Sequence, residues 1–250
     1  MIITKLQGGL GNQLFQWAAT YSASKKLNCD YFFDLSFYNN SVDRPFMLSN
    51  FDLKIEQFRG HQVSLKILND DFKYSPIKDN CFLNGYWQSE KYFVDHKDDI
   101  LNIILSKNTE DNTKRYISKY PCLLENTTSL HIRRGDYSKL EDTHPIQSLG
   151  YYHSALNILS PKNILIFSDD IAWCRSNLNF QNCVFVDGED AISSLYLMSL
   201  CKSNIIANST FSWWGAWLNK NKRVIAPKKW FGINGPADWK DIYCEDWVVI

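Results

Sequence analysis

A chain of 250 residues can form one large domain or two modest ones. Its 27 Lys plus Arg match its 27 Asp plus Glu, so no bulk charge draws it to nucleic acid or anionic lipid. Aromatic residues make up 15% and include nine Trp, more than an ordinary core requires; rings of this kind stack on sugars and bases as well as on one another.

The start of the chain, Met1-Ile2-Ile3-Thr4-Lys5-Leu6, is too short for the apolar region of a signal peptide, and no window approaches a membrane span. Ile2 to Leu6 reads as a strand. Gln7-Gly8-Gly9-Leu10-Gly11-Asn12-Gln13 follows, and then Leu10, Leu14, Trp17, Ala18 and Tyr21 recur at helical spacing, with Lys25 and Lys26 near the end. Tyr31-Phe32-Phe33 is a second strand, closed by Asp34. Strand, glycine loop, helix and strand open a doubly wound α/β layer. A dinucleotide fingerprint with Asp34 as the ribose acid fails, because its third glycine would fall at Leu14. What remains is a loop whose glycines let an anion approach backbone N–H groups at a helix start, or simply make a tight turn.

Residues 39–80 carry mixed polar segments, with short strands expected near Phe51 to Leu53 and Val63 to Leu65. Cys81 to Trp87 reads as a strand leading to a turn, and Asp98 to Leu105 as a helix. The polar stretch from Ser106 to Lys119 reads as a linker or exposed helix, and the domain boundary is expected just after it, giving 1–122 and 123–250. The seven cysteines, at 29, 81, 122, 174, 183, 201 and 244, show neither a CxxC pair nor metal-ligand spacing. They read as small buried hydrophobes of a reducing compartment, so a soluble cytoplasmic protein is expected.

The second half is regular. Strands are expected at Ser129 to Arg133, Asn163 to Ser168, Val184 to Val186, Asn204 to Ala207 and Arg223 to Ala226. Helices are expected at Tyr151 to Leu159, Ile171 to Leu178, Leu195 to Cys201 and after Asn208-Ser209-Thr210. This is a parallel sheet with helices on both faces. The first of these strands delivers His131-Ile132-Arg133-Arg134-Gly135-Asp136-Tyr137. Alternation puts Leu130 and Ile132 on one face and His131 and Arg133 on the other. Two guanidinium groups need anions, from a ligand phosphate or from Asp136 and a neighbouring carboxylate holding a turn. His131, Arg133, Asp169, Asp170, Ser209 and Thr210 all fall at strand C-terminal ends, where α/β proteins bind ligands. That convergence favours a functional Arg133.

Asp169-Asp170 reads as a helix cap plus a hydrogen bond across the site rather than a metal pair. Ser209-Thr210 can cap the next helix or hold an anion there. Trp213, Trp214 and Trp217 read as core; His144 and His153 are assigned no role.

Four segments, GGLGNQLFQWA (8–18), HIRRGDY (131–137), FSDDIAWC (167–174) and LYLMSLCKSNIIANSTFSWWGAWL (195–218), together resemble bacterial α-1,2-fucosyltransferases, glycosyltransferase family 11. Through the arginine motif they are similar to α-1,6- and protein-O-fucosyltransferases as well. The resemblance implies a GT-B-like fold, two facing Rossmann-type domains with a cleft between them, the first on the acceptor side and the second binding the sugar nucleotide. It implies GDP-β-L-fucose as donor substrate, no cofactor, no required metal, and inversion onto the 2-hydroxyl of a terminal galactose. The implied setting is surface-polysaccharide synthesis on a lipid-linked glycan, in the cytoplasm or peripherally at the inner membrane face.

Carried over residue by residue, the resemblance gives Arg133 the leaving-group phosphate and makes Asp136 the candidate base, or an orienter of the arginines. It gives Gly9, Gly11, Asn12, Arg134, Asp169, Asn208, Ser209, Thr210 and Phe211 to donor binding, and His131 to the guanine or ribose. Where related sequences carry an acid before the LYLMS helix this chain has Ser194, with Asp190 four residues earlier, which leaves these two as the candidates to face the guanine. Two rivals remain, α-1,6 transfer to N-acetylglucosamine and a GDP-sugar-binding module without turnover. An NAD-dependent oxidoreductase is disfavoured by Leu14.

Overall fold

The computed structural model describes residues 1–39, 44–60, 65–107, 109–221 and 223–250. Two compact units divide the chain: Met1–Lys107 with Asp238–Cys244, and Asn108–Ala237 with Glu245–Ile250. The division thus falls ahead of the 122/123 expected from composition, because the polar stretch is a helix of the second unit.

In the first unit, β1 (Ile2–Lys5) leads through the glycine loop into α1 (Leu10–Leu27), followed by β2 (Tyr31–Asp34), β3 (Lys66–Asn69), β4 (Cys81–Asn84) and α2 (Lys97–Leu105). The four strands are parallel, in the order β2-β1-β4-β3. The apolar repeat of α1 buries Leu10, Leu14, Phe15, Trp17 and Ala18, and the helix ends on Asn28 in the left-handed conformation. Two glutamines of α1 are buried because they have backbone work to do. Gln16 accepts the Gln7 N–H and donates to the Gly85 carbonyl, tying the loops after β1 and β4 together. Gly8 has φ +81°, and Asn12 fills the space a Cβ there would need, so this position admits only glycine.

The strand expected at Phe51 to Leu53 does not form. Of the one expected near Val63 to Leu65, residues 63 and 64 lie outside the described residues. β3 was not anticipated: its Lys-Ile-Leu-Asn is largely exposed, so no buried face marks it.

The second unit begins with α3 (Glu110–Lys119) and β5 (Thr127–Ile132), and continues through α4 (Leu149–Leu159), β6 (Asn163–Ser168), α5 (Ile171–Asn177), β7 (Cys183–Phe185) and α6 (Ala191–Leu200). It closes with β8 (Ser203–Ile205), α7 (Thr210–Trp217), β9 (Val224–Ala226) and β10 (Val248–Val249). All six strands are parallel, ordered β10-β9-β8-β5-β6-β7. The order reverses between β5 and β8, and Leu130 is opposite Ile205 across that junction. One face of β5 packs Leu130 and Ile132 with Tyr151, Tyr152 and Ala155 of α4 and Cys174 of α5. The tryptophans of α7 are core: Trp213 and Trp214 are fully buried, and Trp213 also meets Trp247. All seven cysteines are free thiols. Among the described residues no helix is long and apolar enough to cross a membrane.

The expectation of a GT-B-like pair of Rossmann-type domains facing across a cleft is corrected to a general α/β fold with two parallel sheets. Only the second unit is wound as a Rossmann sheet. Between β2 and β4 the first unit has short 3-10 turns and no α-helix among the described residues, so its four-strand sheet lacks the alternating helices of that architecture. The reason lies in residues 35–80, whose polar, aperiodic sequence supplies no amphipathic helix.

Candidate active site

β5 ends where the strand order reverses, and the chain then turns through Arg133, Arg134 and Gly135. Alternation along β5 holds as expected, but the strand is covered on both faces and every residue from Thr127 to Ile132 is buried. His131 is therefore inside the unit, its ring 5.7 Å from that of Phe211 on α7. Burial and then the neighbouring Arg133 charge push its pKa down to about 3, so the imidazole is neutral. Its Nδ1 finds no hydrogen-bond partner among the described residues.

Arg133 is the hub. One terminal nitrogen lies 2.5 Å from Asp136 Oδ1 and the other 3.1 Å from Asp169 Oδ2, with the guanidinium over the Tyr137 ring at 5.2 Å. Two carboxylates and an aromatic face fix this cation at 19% side-chain exposure. Asp169, just after β6, also accepts the backbone N–H of Arg134 at 2.9 Å through Oδ1. Arg134 stacks on Trp173 at 3.7 Å, and its Nε is 3.5 Å from Asp170, too poorly placed for a hydrogen bond. Asp170 caps α5 by accepting the Trp173 N–H. The aspartate pair thus divides its tasks between an arginine and a helix start, both in the same unit.

Asn208 arrives from the neighbouring strand β8. Its side-chain amide nitrogen donates to the carbonyls of Pro145 and Trp230, and its backbone carbonyl accepts the Tyr137 hydroxyl at 3.0 Å. The Asn208 side-chain oxygen and the Arg133 Nε are buried without hydrogen-bond partners among the described residues. Unsatisfied buried polar atoms are costly, and their presence at a strand-order reversal marks a ligand site. Ser209 starts α7 without a side-chain cap, followed by Thr210 and Phe211. Backbone N–H groups there are consequently open to an anion.

The remaining expected residues lie elsewhere. Gly9, Gly11 and Asn12 open α1 in the first unit, where Asn12 accepts a hydrogen bond from Gln88. Asp190 and Ser194 begin α6 beyond the edge strand β7. Both Asp190 oxygens are taken by Ser193, which leaves little of this carboxylate for a ligand.

The sequence did not point to three members of the cluster. Tyr137 is sandwiched by Arg133 and by His144, whose ring stacks on it at 4.8 Å. Burial pushes the His144 pKa down, against the opposing pull of Asp136 and with the help of Arg133. Trp173 follows Asp169 by four residues and could have been read as its companion; His144 lies in an irregular loop and carries no such signal.

A cation clamped at the carboxyl end of a central strand, beside an uncapped helix start, is suited to a diphosphate leaving group. The model of the family described as Glycosyl transferase family 11 matches residues 1–250. The chain belongs to glycosyl transferase family 11. It is 33% identical to the O-antigen biosynthesis glycosyltransferase WbnK of Escherichia coli, over 93% of this chain and 95% of that one. An α-1,2-colitosyltransferase of the same organism is 32% identical, with 92% of each chain covered. A galactoside 2-α-L-fucosyltransferase of Caenorhabditis elegans is 25% identical over 90% of this chain and 71% of its own. In fold, this family 11 chain is similar to the NodZ α-1,6-fucosyltransferase soaked with GDP-fucose, with a TM-score of 0.54 at 14% identity, covering 95% and 96% of the two chains. It is thus a glycosyltransferase of α/β fold, and Arg133, Asp136 and Asp169 are the charged centre of its second unit.

Proposed function

We propose that this family 11 enzyme transfers L-fucose from GDP-β-L-fucose to the 2-hydroxyl of a terminal galactose, with inversion to the α-fucoside, in surface-polysaccharide synthesis. The observation that carries the reading is Arg133, held by Asp136 and Asp169 at the strand-order reversal of the second unit. The activities of two relatives, an α-1,2-colitosyltransferase and a galactoside 2-α-L-fucosyltransferase, support the linkage.

In this reading the second unit binds the donor. The guanidinium of Arg133 and the open N–H groups at Thr210 and Phe211 meet the diphosphate, while the Ser209 N–H is held by the Ala207 carbonyl. As the C1–O bond breaks, its electron pair goes to the β-phosphate oxygen, whose charge Arg133 stabilises. The sugar acquires oxocarbenium character, the acceptor 2-oxygen bonds to C1 from the opposite face, and its proton passes to Asp136. Arg134, stacked on Trp173, adds positive potential without moving. His131, neutral and buried, packs beneath Arg133 without adding a competing charge. The first unit serves the acceptor, and the backbone at Gly9, Gly11 and Asn12 offers N–H groups to an anion at the start of α1. No metal is required, because fixed cations supply the charge. The enzyme works in the cytoplasm on a lipid-linked precursor.

Colitose is fucose without its 3-hydroxyl, and the likeness to the colitosyltransferase favours GDP-colitose as a second donor to be tested. Incubation with N-acetyllactosamine and either nucleotide, followed by GDP release and product mass, tests the proposal. Fucose transfer with a kcat/KM above that for colitose is expected; GDP-fucose binding without product over a panel of galactosides would overturn it.

A further inference from the structure

We propose that the first unit carries a sugar-binding subsite of its own, which takes a hexopyranose of the acceptor glycan lying inside the terminal disaccharide; the proposal rests on the transferase reading above. A cavity of about 630 Å³ opens beside β2. Its wall is made by an extended segment that returns along that strand: the Phe33 N–H donates to the Glu56 carbonyl at 2.8 Å, and the Phe58 N–H to the Phe33 carbonyl at 2.9 Å. In an extended chain alternate residues share a face, and Leu53, Ile55, Gln57 and Arg59 all line the cavity. That row is apolar at one end and ends in an amide and a guanidinium. Phe32, Phe46 and Phe51 line it too, while Phe33, on the other face of β2, is fully buried in the core.

A pyranose ring is two-sided in the same way. Its C–H faces pack on aromatic and aliphatic surface, and its hydroxyl edge takes hydrogen bonds from planar side chains. A polyprenyl chain would want an apolar lining throughout, which Gln57 and Arg59 do not give. The polar groups are also unused: among the described residues the side chains of Ser49, Gln57 and Arg59 form no hydrogen bond or ion pair, whereas Glu56 is occupied by Lys54 at 2.7 Å. The Phe46 ring lies 5.7 Å from that of Tyr38, whose hydroxyl donates to the Gly8 carbonyl at 3.1 Å. One wall of the cavity, Phe46, is thus linked through Tyr38 to the glycine loop, and Leu35, just past the end of β2, lines the cavity as well.

N-acetyllactosamine and lacto-N-neotetraose end in the same disaccharide, and only the tetrasaccharide carries an inner lactose to fill the subsite. The wild-type enzyme should show a lower KM for the tetrasaccharide. In Gln57→Ala/Arg59→Ala, both changes being at exposed positions, that advantage should shrink about tenfold, the worth of one or two hydrogen bonds. An unchanged KM ratio would overturn the subsite. Saturation-transfer NMR of lacto-N-neotetraose on the donor-free enzyme separates this from the transferase reading. Protons of the inner lactose should be saturated by the wild type and weakly by the double variant. Saturation without any turnover would sink the transferase reading and leave the subsite standing; no saturation of the inner lactose would sink the subsite itself.

Discussion

The carboxylate of Asp169 occupies the space that a side chain on residue 135 would need: a Cβ placed on Gly135 collides with Asp169 Oδ2. Because residue 135 is glycine, one carboxylate can hold the Arg133 guanidinium and the Arg134 backbone N–H together. The arginine turn and the aspartate after β6 are thus a single device. Gly135→Ala should displace Asp169, lower kcat at least tenfold, and destabilise the fold by about 1–3 kcal/mol, the cost of overpacking. Paired kinetics and urea unfolding check both effects.

Arg133→Ala should cut turnover by about 10²-fold or more, since it removes the cation set against leaving-group charge. Arg133→Lys should rescue little, because a single ammonium cannot span Asp136 and Asp169 together. Steady-state kinetics with GDP-fucose, alongside calorimetric GDP binding, reads this directly; near-normal turnover of the alanine variant would take Arg133 out of the mechanism.

Asp136→Asn distinguishes the two tasks open to that carboxylate. As the proton acceptor it should lower kcat by about 10²–10⁴-fold while donor KM moves only a few-fold. A donor KM that rises as steeply as kcat falls would instead make Asp136 an orienter of Arg133.

His131 links stability to acidity. Its pKa is pushed from 6.5 down to about 3 in the folded chain, by burial and then by Arg133. Between those values the unfolded chain binds the proton and the folded chain does not, so stability falls as pH drops below 6.5. The limiting slope is about 1.4 kcal/mol per pH unit for each such histidine, and His144, shifted the same way, adds to it. Urea unfolding at pH 7, 6 and 5 should show this loss in the wild type. His131→Gln should show a shallower slope; an identical slope would mean that His131 is protonated in the folded state.

Chelation tests whether fixed cations suffice. Asp169 is engaged by Arg133 and Arg134, and Asp170 by the start of α5. Activity should survive extensive treatment with EDTA, measured as GDP release; restoration by a divalent ion alone would contradict it.

The second unit was legible because its strands are buried. The sequence predicts β6 to the residue, Asn163 to Ser168, and β5 within two, since β-branched and leucine-rich runs of that length between turn signals have few other fates. The first unit was harder. β3 is exposed and displays no periodic face, while Phe51 to Leu53 looks strand-like and instead follows a 3-10 turn; in the second unit β10, two residues long, is equally hidden. In the site, alternation separated His131 and Arg133 from Leu130 and Ile132. It could not reveal that α7 covers the His131 side, because that depends on a helix some eighty residues further on. The partners Tyr137 and His144 were equally hidden, as stacking across an irregular loop leaves no spacing to read.

Wild-type enzyme incubated with GDP-β-L-fucose and N-acetyllactosamine should yield a trisaccharide whose fucose is α-anomeric and attached at O2 of galactose, read by through-space and long-range carbon–proton correlations in NMR. A β-anomer, attachment at another oxygen, or fucose on N-acetylglucosamine would contradict the proposed transfer.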